Sequence, residues 1–145
     1  MELDKIKQVK QENESAKSTS TRNPSGDLNF LCNRVGLGLL RNVEYFALTD
    51  QGKKLCDFIV VECDGSVAEF DSKNLSVDDE RLYVAVVCYN GEKAENAYLF
   101  PACSFKKTGL FSMFGNKNGR ASIKMGNKTK LDQYSFGNVV KNIKN

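Results

Sequence analysis

Four side chains in the middle of this chain have the types and spacing that divalent-metal chemistry needs. Glu69, Asp71 and Lys73 alternate with Ala68, Phe70 and Ser72, so in an extended segment they share one face. Asp57 opens the apolar run Asp57-Phe58-Ile59-Val60-Val61, and the turn Asp64-Gly65 between the two runs is a hairpin signal. Across a hairpin, two strand-borne carboxylates come within reach of one divalent cation. A lysine two residues beyond the second carboxylate lies on the same face, about 6–7 Å along the strand. Such a set can hold Mg2+, orient or generate a hydroxide, and stabilise the charge that develops on a phosphate.

Asp57-Phe58-Ile59-Val60-Val61 followed by Asp71-Ser72-Lys73 resembles the PD-(D/E)xK nuclease superfamily, which includes restriction endonucleases and archaeal Holliday-junction resolvases. The likeness covers roughly residues 28–105, and the expected order is similar: helix at 28–42, then strands at 57–63, 66–73 and 82–89. The resemblance implies Mg2+-dependent hydrolysis of phosphodiesters in DNA or RNA. It makes Asp57 and Asp71 the metal ligands and Lys73 the residue that positions or activates water. Glu44 is then the candidate for a further acidic metal ligand. The chain departs from the family pattern at Cys56, where Pro is common, and at Ser72, where an apolar residue is usual.

Taken plainly, the same residues are the wet face of an antiparallel hairpin, with Asp71 and Lys73 as ordinary surface charges. The corresponding function is a non-catalytic protein-interaction module: an inhibitor, immunity protein or accessory subunit. In that case Asp57, Asp71 and Lys73 do not converge.

Other chemistries are poorly served. The 145 residues include no histidine, which removes Ser-His-Asp catalysis and the usual base for a cysteine nucleophile. Cys32, Cys56, Cys63, Cys88 and Cys103 are odd in number, lack C-x-x-C spacing and lie mostly in apolar runs. They are expected to be buried thiols rather than a zinc or disulfide framework.

The net charge of +3 is unevenly distributed. Residues 44–95 hold 12 acidic and 5 basic side chains, a balance of −7, whereas residues 105–145 hold nine basic side chains against Asp132, a balance of +8. The basic part would attract a polyanion, with Lys106, Lys107, Lys117, Arg120 and Lys124 as candidate nucleic-acid contacts. Phe105, Phe111, Phe114, Tyr134 and Phe136 interleave with these lysines and can stack on bases, although Phe105 and Phe136 are expected in the core. The partners allowed are thus nucleic acid, another protein or a second copy.

These side chains need a scaffold. Residues 1–26 read as a flexible polar arm, and 27–145 as one domain. Leu28, Leu31, Cys32, Val35 and Leu39 share a helical face, with Ser25 or Asp27 as cap. Strands are expected at Val43–Leu48, Asp57–Cys63, Ser66–Lys73, Leu82–Cys88, Ala97–Phe100 and Arg120–Met125, and a short helix at Phe136–Ile143. The predicted fold class is α+β (α/β), with a mixed, largely antiparallel central sheet of about four to six strands and an N-terminal helix packed on it. By resemblance it is restriction-endonuclease-like. The chain has no apolar run of about 18 residues and no secretory h-region near its start, so no membrane span and a cytoplasmic location are expected.

Overall fold

The computed structural model describes residues 22–41, 45–107 and 113–144. Helix α1 spans Pro24–Arg34. Asn23, not Ser25 or Asp27, caps it by accepting a hydrogen bond from the Gly26 N–H, and Pro24 sits where a missing N–H costs nothing. Helix therefore begins inside the stretch expected to be an arm. It also stops short of residue 42. Gly36 takes φ +77°, a left-handed conformation that L side chains avoid, and the Leu37 N–H turns back to the Cys32 carbonyl. Leu39 consequently lies on a strand, β1 (Gly38–Arg41), rather than on the helix.

Strand β2 (Phe46–Asp50) continues through left-handed Gln51 and Gly52 into β3 (Lys53–Cys63). Next come β4 (Val67–Asp71), a 3-10 turn (Ser72–Asn74), β5 (Leu82–Asn90) and β6 (Lys93–Pro101). A 3-10 segment (Ala102–Lys107), β7 (Phe114–Lys117), β8 (Arg120–Lys124), α2 (Lys128–Leu131), a 3-10 turn (Asp132–Tyr134) and α3 (Phe136–Lys144) complete the described chain. Five strands form the central sheet in the order β1-β2-β3-β5-β6, antiparallel except for the parallel pair β3–β5. With α1 packed on it, this is the expected α+β class.

The expected hairpin between the two motif strands does not form. Both edges of β3 are occupied, by β2 on one side and β5 on the other. After the turn at Asp64-Gly65 the chain leaves the central sheet, and β4 pairs instead with β8 in a separate three-stranded sheet, β4-β8-β7.

The central sheet is covered on both faces. Leu28 and Cys32 of α1 and Phe136, Val139 and Val140 of α3 pack over Leu48, Cys56, Phe58 and Leu99. The other face carries Val61, Val84, Val86 and Phe100 against Ala68, Phe70, Phe114 and Ile123 of the small sheet. Phe105 and Phe136 are buried, as expected. All five cysteines are free; Cys32, Cys56 and Cys63 are buried, and Cys88 and Cys103 are half-buried.

A polar staple joins α1 to one end of the central sheet. The Tyr89 hydroxyl donates to Asp27, and the Arg22 guanidinium lies over the Tyr89 ring. Arg22 also donates to Glu62 at 2.9 Å, Asp64 at 3.0 Å and the Gly91 carbonyl at 2.7 Å. Tyr89→Phe is expected to cost about 1.5–3 kcal/mol in urea denaturation, because it removes a hydrogen bond to a carboxylate.

Burial also makes the fold sensitive to alkali. It pushes the Cys32 thiol up from 9.0 to about 11 and, with Asp57 nearby, the Cys56 thiol to about 12. Burial and the bond to Asp27 raise Tyr89 as well. Each raised group holds its proton in the folded state after the unfolded state has lost it. The stabilising contribution is complete below the unfolded pKa of 9.0 and lost as pH climbs toward 11–12. Thermal melts in a pH series should show Tm falling above pH 9, with Cys56→Ala flattening that fall.

Candidate functional site

The described candidate metal-site residues, Asp57, Asp71 and Lys73, occupy different surroundings. Asp57 sits within β3, paired with Ala47 on one side and Leu82 on the other, and its N–H donates to the Arg81 carbonyl. By alternation it shares the side of Ile59, Val61 and Cys63, the side covered by the small sheet. Its side chain is 17% exposed and ion-paired with Lys54 at 3.3 Å.

Asp71 ends β4 with the opposite aspect. Ala68 and Phe70 point into the core, so Val67, Glu69 and Asp71 point out to solvent, away from the central sheet. The Asp71 carboxylate accepts the Lys73 backbone N–H at 2.8 Å, capping the 3-10 turn, and Asp71 is the cross-strand neighbour of Arg120. Lys73 lies in that turn, so it does not continue the face of Glu69 and Asp71 as an extended strand would place it. Glu44 lies outside the described residues. Among the described residues, no group of three or more Cys, Asp or Glu side chains is arranged to hold a metal ion.

Asp71→Ala should thus act on local stability. Losing a side-chain cap costs about 0.5–2 kcal/mol at helix starts, and the lower part of that range is expected for this exposed 3-10 turn. Chemical denaturation checks it, with Asp71→Asn, whose amide oxygen can still accept the Lys73 N–H, keeping most of the stability.

The basic candidates divide in two. Lys117, Arg120 and Lys124 share the outer face of the small sheet, where Lys117 opposes Arg120 and Lys124 opposes Val67. Glu69 and Asp71 lie on that same face and dilute its charge. Lys106 is ion-paired with Asp78 at 2.7 Å, which holds its ammonium above the usual lysine range. Lys107 belongs to the 3-10 segment before residue 108, and its side chain lies outside the described residues. Among the described residues the interleaved aromatics form no stacking platform: Phe105, Phe114 and Phe136 are buried, and Tyr134 packs on Phe100 with ring centroids 4.8 Å apart. Phe111 lies outside the described residues.

A concave feature lies elsewhere among the described residues. A groove of about 800 Å³ runs between α1, the β5–β6 turn and the start of α3. Asp27, Phe30, Leu31, Arg34 and Val35 fall at helical spacing along one flank. Phe30 is 62% exposed and Val35 40% exposed, although both are large apolar side chains. Ala94, Ala97 and Phe136 line the opposite side, while Asp27, Glu92 and Glu95 mix with Arg34 and Lys93 among its charges. The hydrophobic stripe Leu28–Cys32 directs attention to the buried side of this helix. The signal for the groove was Phe30, a large apolar residue off that stripe.

Comparison with protein-family models, with curated proteins and with solved structures found no match. Among the described residues, no helix is long and apolar enough to cross a membrane.

Proposed function

We propose that this chain is a non-catalytic protein-interaction module that holds a protein partner in the groove between α1, β6 and α3. One observation carries the reading: the side chains that Mg2+ chemistry needs belong to different sheets, and each carboxylate has structural work of its own. Asp57 faces the space between the sheets and pairs with Lys54, whereas Asp71 faces solvent and caps a turn.

The groove supplies the positive side. An exposed phenylalanine and valine beside a concave surface are features of association sites. Three acidic and two basic side chains line it, a mixture that offers a polyanion no net attraction. The matching occupant is a protein segment whose apolar side chains are flanked by charges of both signs.

Two experiments test this. Single- and double-stranded DNA and RNA incubated with the wild type in Mg2+ or Mn2+ should stay intact; metal-dependent cleavage that Asp71→Ala abolishes would overturn the proposal. A photo-reactive phenylalanine analogue at position 30 should cross-link one protein species in cells, and the same analogue at Val67, exposed on the outer face of the small sheet, should not. Equal labelling from both positions, or cross-linking to nucleic acid, contradicts the groove assignment.

A further inference from the structure

The two thiols Cys63 and Cys88 face each other across the one parallel strand pair in the central sheet. They are register partners, Cys63 as the last residue of β3 and Cys88 near the end of β5. Both belong to the side that packs against the small sheet, where the Cys63 thiol donates to the Gly65 carbonyl at 3.4 Å. Neighbouring strands run about 4.7–4.9 Å apart, inside the Cα separation of roughly 4.4–6.8 Å that disulfides span.

The surroundings favour closure. Beyond Cys63 lies the exposed turn Asp64–Ser66, and the pairing of β5 with β6 is irregular between Cys88 and Tyr89. Cys88 is half-buried, so a small oxidant can approach it. Cys32 and Cys56, at 0% and 1% exposure, are screened from the same reagent.

We propose that Cys63 and Cys88 are a reversible disulfide site, closed by a low-molecular-weight disulfide such as oxidised glutathione. The Cys88 thiolate attacks one sulfur of that disulfide, breaking its S–S bond and releasing one small thiol. Cys63 then gives up its proton and attacks the Cys88 sulfur, releasing the second small thiol. The protein loses two electrons and two protons, and the small disulfide is reduced to two thiols. Burial and the Cys63 thiol push Cys88 up to about 12, so closure is slow at neutral pH and accelerates as pH rises.

The test is incubation of the full chain, folded, with oxidised glutathione at mildly alkaline pH. Peptide mapping should find Cys63 linked to Cys88, the mass should fall by two hydrogens, and the free thiols, five at the start, should drop by two. Dithiothreitol should restore them. The closed form should melt at a higher temperature, because the bond ties β3 to β5. Cys63→Ala should stop at a single glutathione adduct on Cys88. A stable adduct on Cys88 of the wild type, a link between any other pair, or a Cys63–Cys88 link that forms only in denaturant would each overturn the proposal. The wild-type peptide map decides the matter even if the variant does not fold.

Discussion

Phe100→Ala is expected to cost about 3–5 kcal/mol, the range for removing a large aromatic from a closed core. Phe100 is 0% exposed and sits where the two sheets meet, with Tyr98, Phe114 and Tyr134 rings at centroid distances of 6.3, 5.8 and 4.8 Å. Those rings belong to β6, to β7 and to the 3-10 turn before α3, so the cavity would not be confined to one element that can collapse into it. Against a typical total stability of about 5–15 kcal/mol, the loss is a large fraction. Urea titration should show the midpoint falling sharply, and Tm should drop by something on the order of 10 °C. A loss below about 1 kcal/mol would mean that Phe100 does not join the two layers.

Phe30→Ala should do the opposite. Phe30 lies on α1 but is 62% exposed, so its truncation should change stability by no more than about 0.5 kcal/mol. Binding is where the cost should appear. An exposed aromatic that becomes the buried anchor of an interface is worth about 2–4 kcal/mol, or roughly 30- to 1000-fold in affinity. Fluorescence anisotropy with the labelled partner would read this, and circular dichroism would confirm that the helix is intact. An unchanged affinity would remove Phe30 from the interface. Two phenylalanines thus separate folding from function: one should act only on stability, the other only on association.

How much was legible beforehand depended on whether a feature was local. The runs at Asp57–Cys63, Leu82–Cys88, Ala97–Phe100 and Arg120–Met125 read as strands because burial leaves a short-period apolar pattern; the first three fall within β3, β5 and β6, and the fourth matches β8 except that the strand ends one residue earlier, at Lys124. Leu28 and Cys32 face the core from a helix, as their spacing predicts. Val35 and Leu39 do not, because the periodicity passes through Gly36, whose left-handed φ ends the helix. The larger error concerned pairing. Asp64-Gly65 announces a turn, but a turn does not say which strand edge is vacant. The partners of β3 and β4 include β5 and β8, the latter far along the chain, and no local pattern encodes those contacts. The candidate metal site depended wholly on that pairing.

Within the motif, alternation puts Ala68 and Phe70 on one face and Glu69 and Asp71 on the other, and in the fold the first pair is buried and the second exposed. What alternation alone does not contain is the direction of Asp57's face relative to that outward row. Among the basic residues, the register of β7 with β8 gathers Lys117, Arg120 and Lys124 on one face, whereas Lys106 is held by Asp78. The groove at Phe30 arises from three segments distant in sequence, and only the folded chain brings them together.

The central claim is that Asp57 and Asp71 serve the fold separately and do not share a metal ion. A double-mutant cycle on Asp57→Asn and Asp71→Asn, measured by urea denaturation with and without millimolar Mg2+, tests it directly. The account predicts that the two effects add within about 0.5 kcal/mol, as for independent sites, and that Mg2+ leaves all four stabilities unchanged. A coupling above about 1 kcal/mol, or a Mg2+ stabilisation of the wild type that either substitution abolishes, would contradict it.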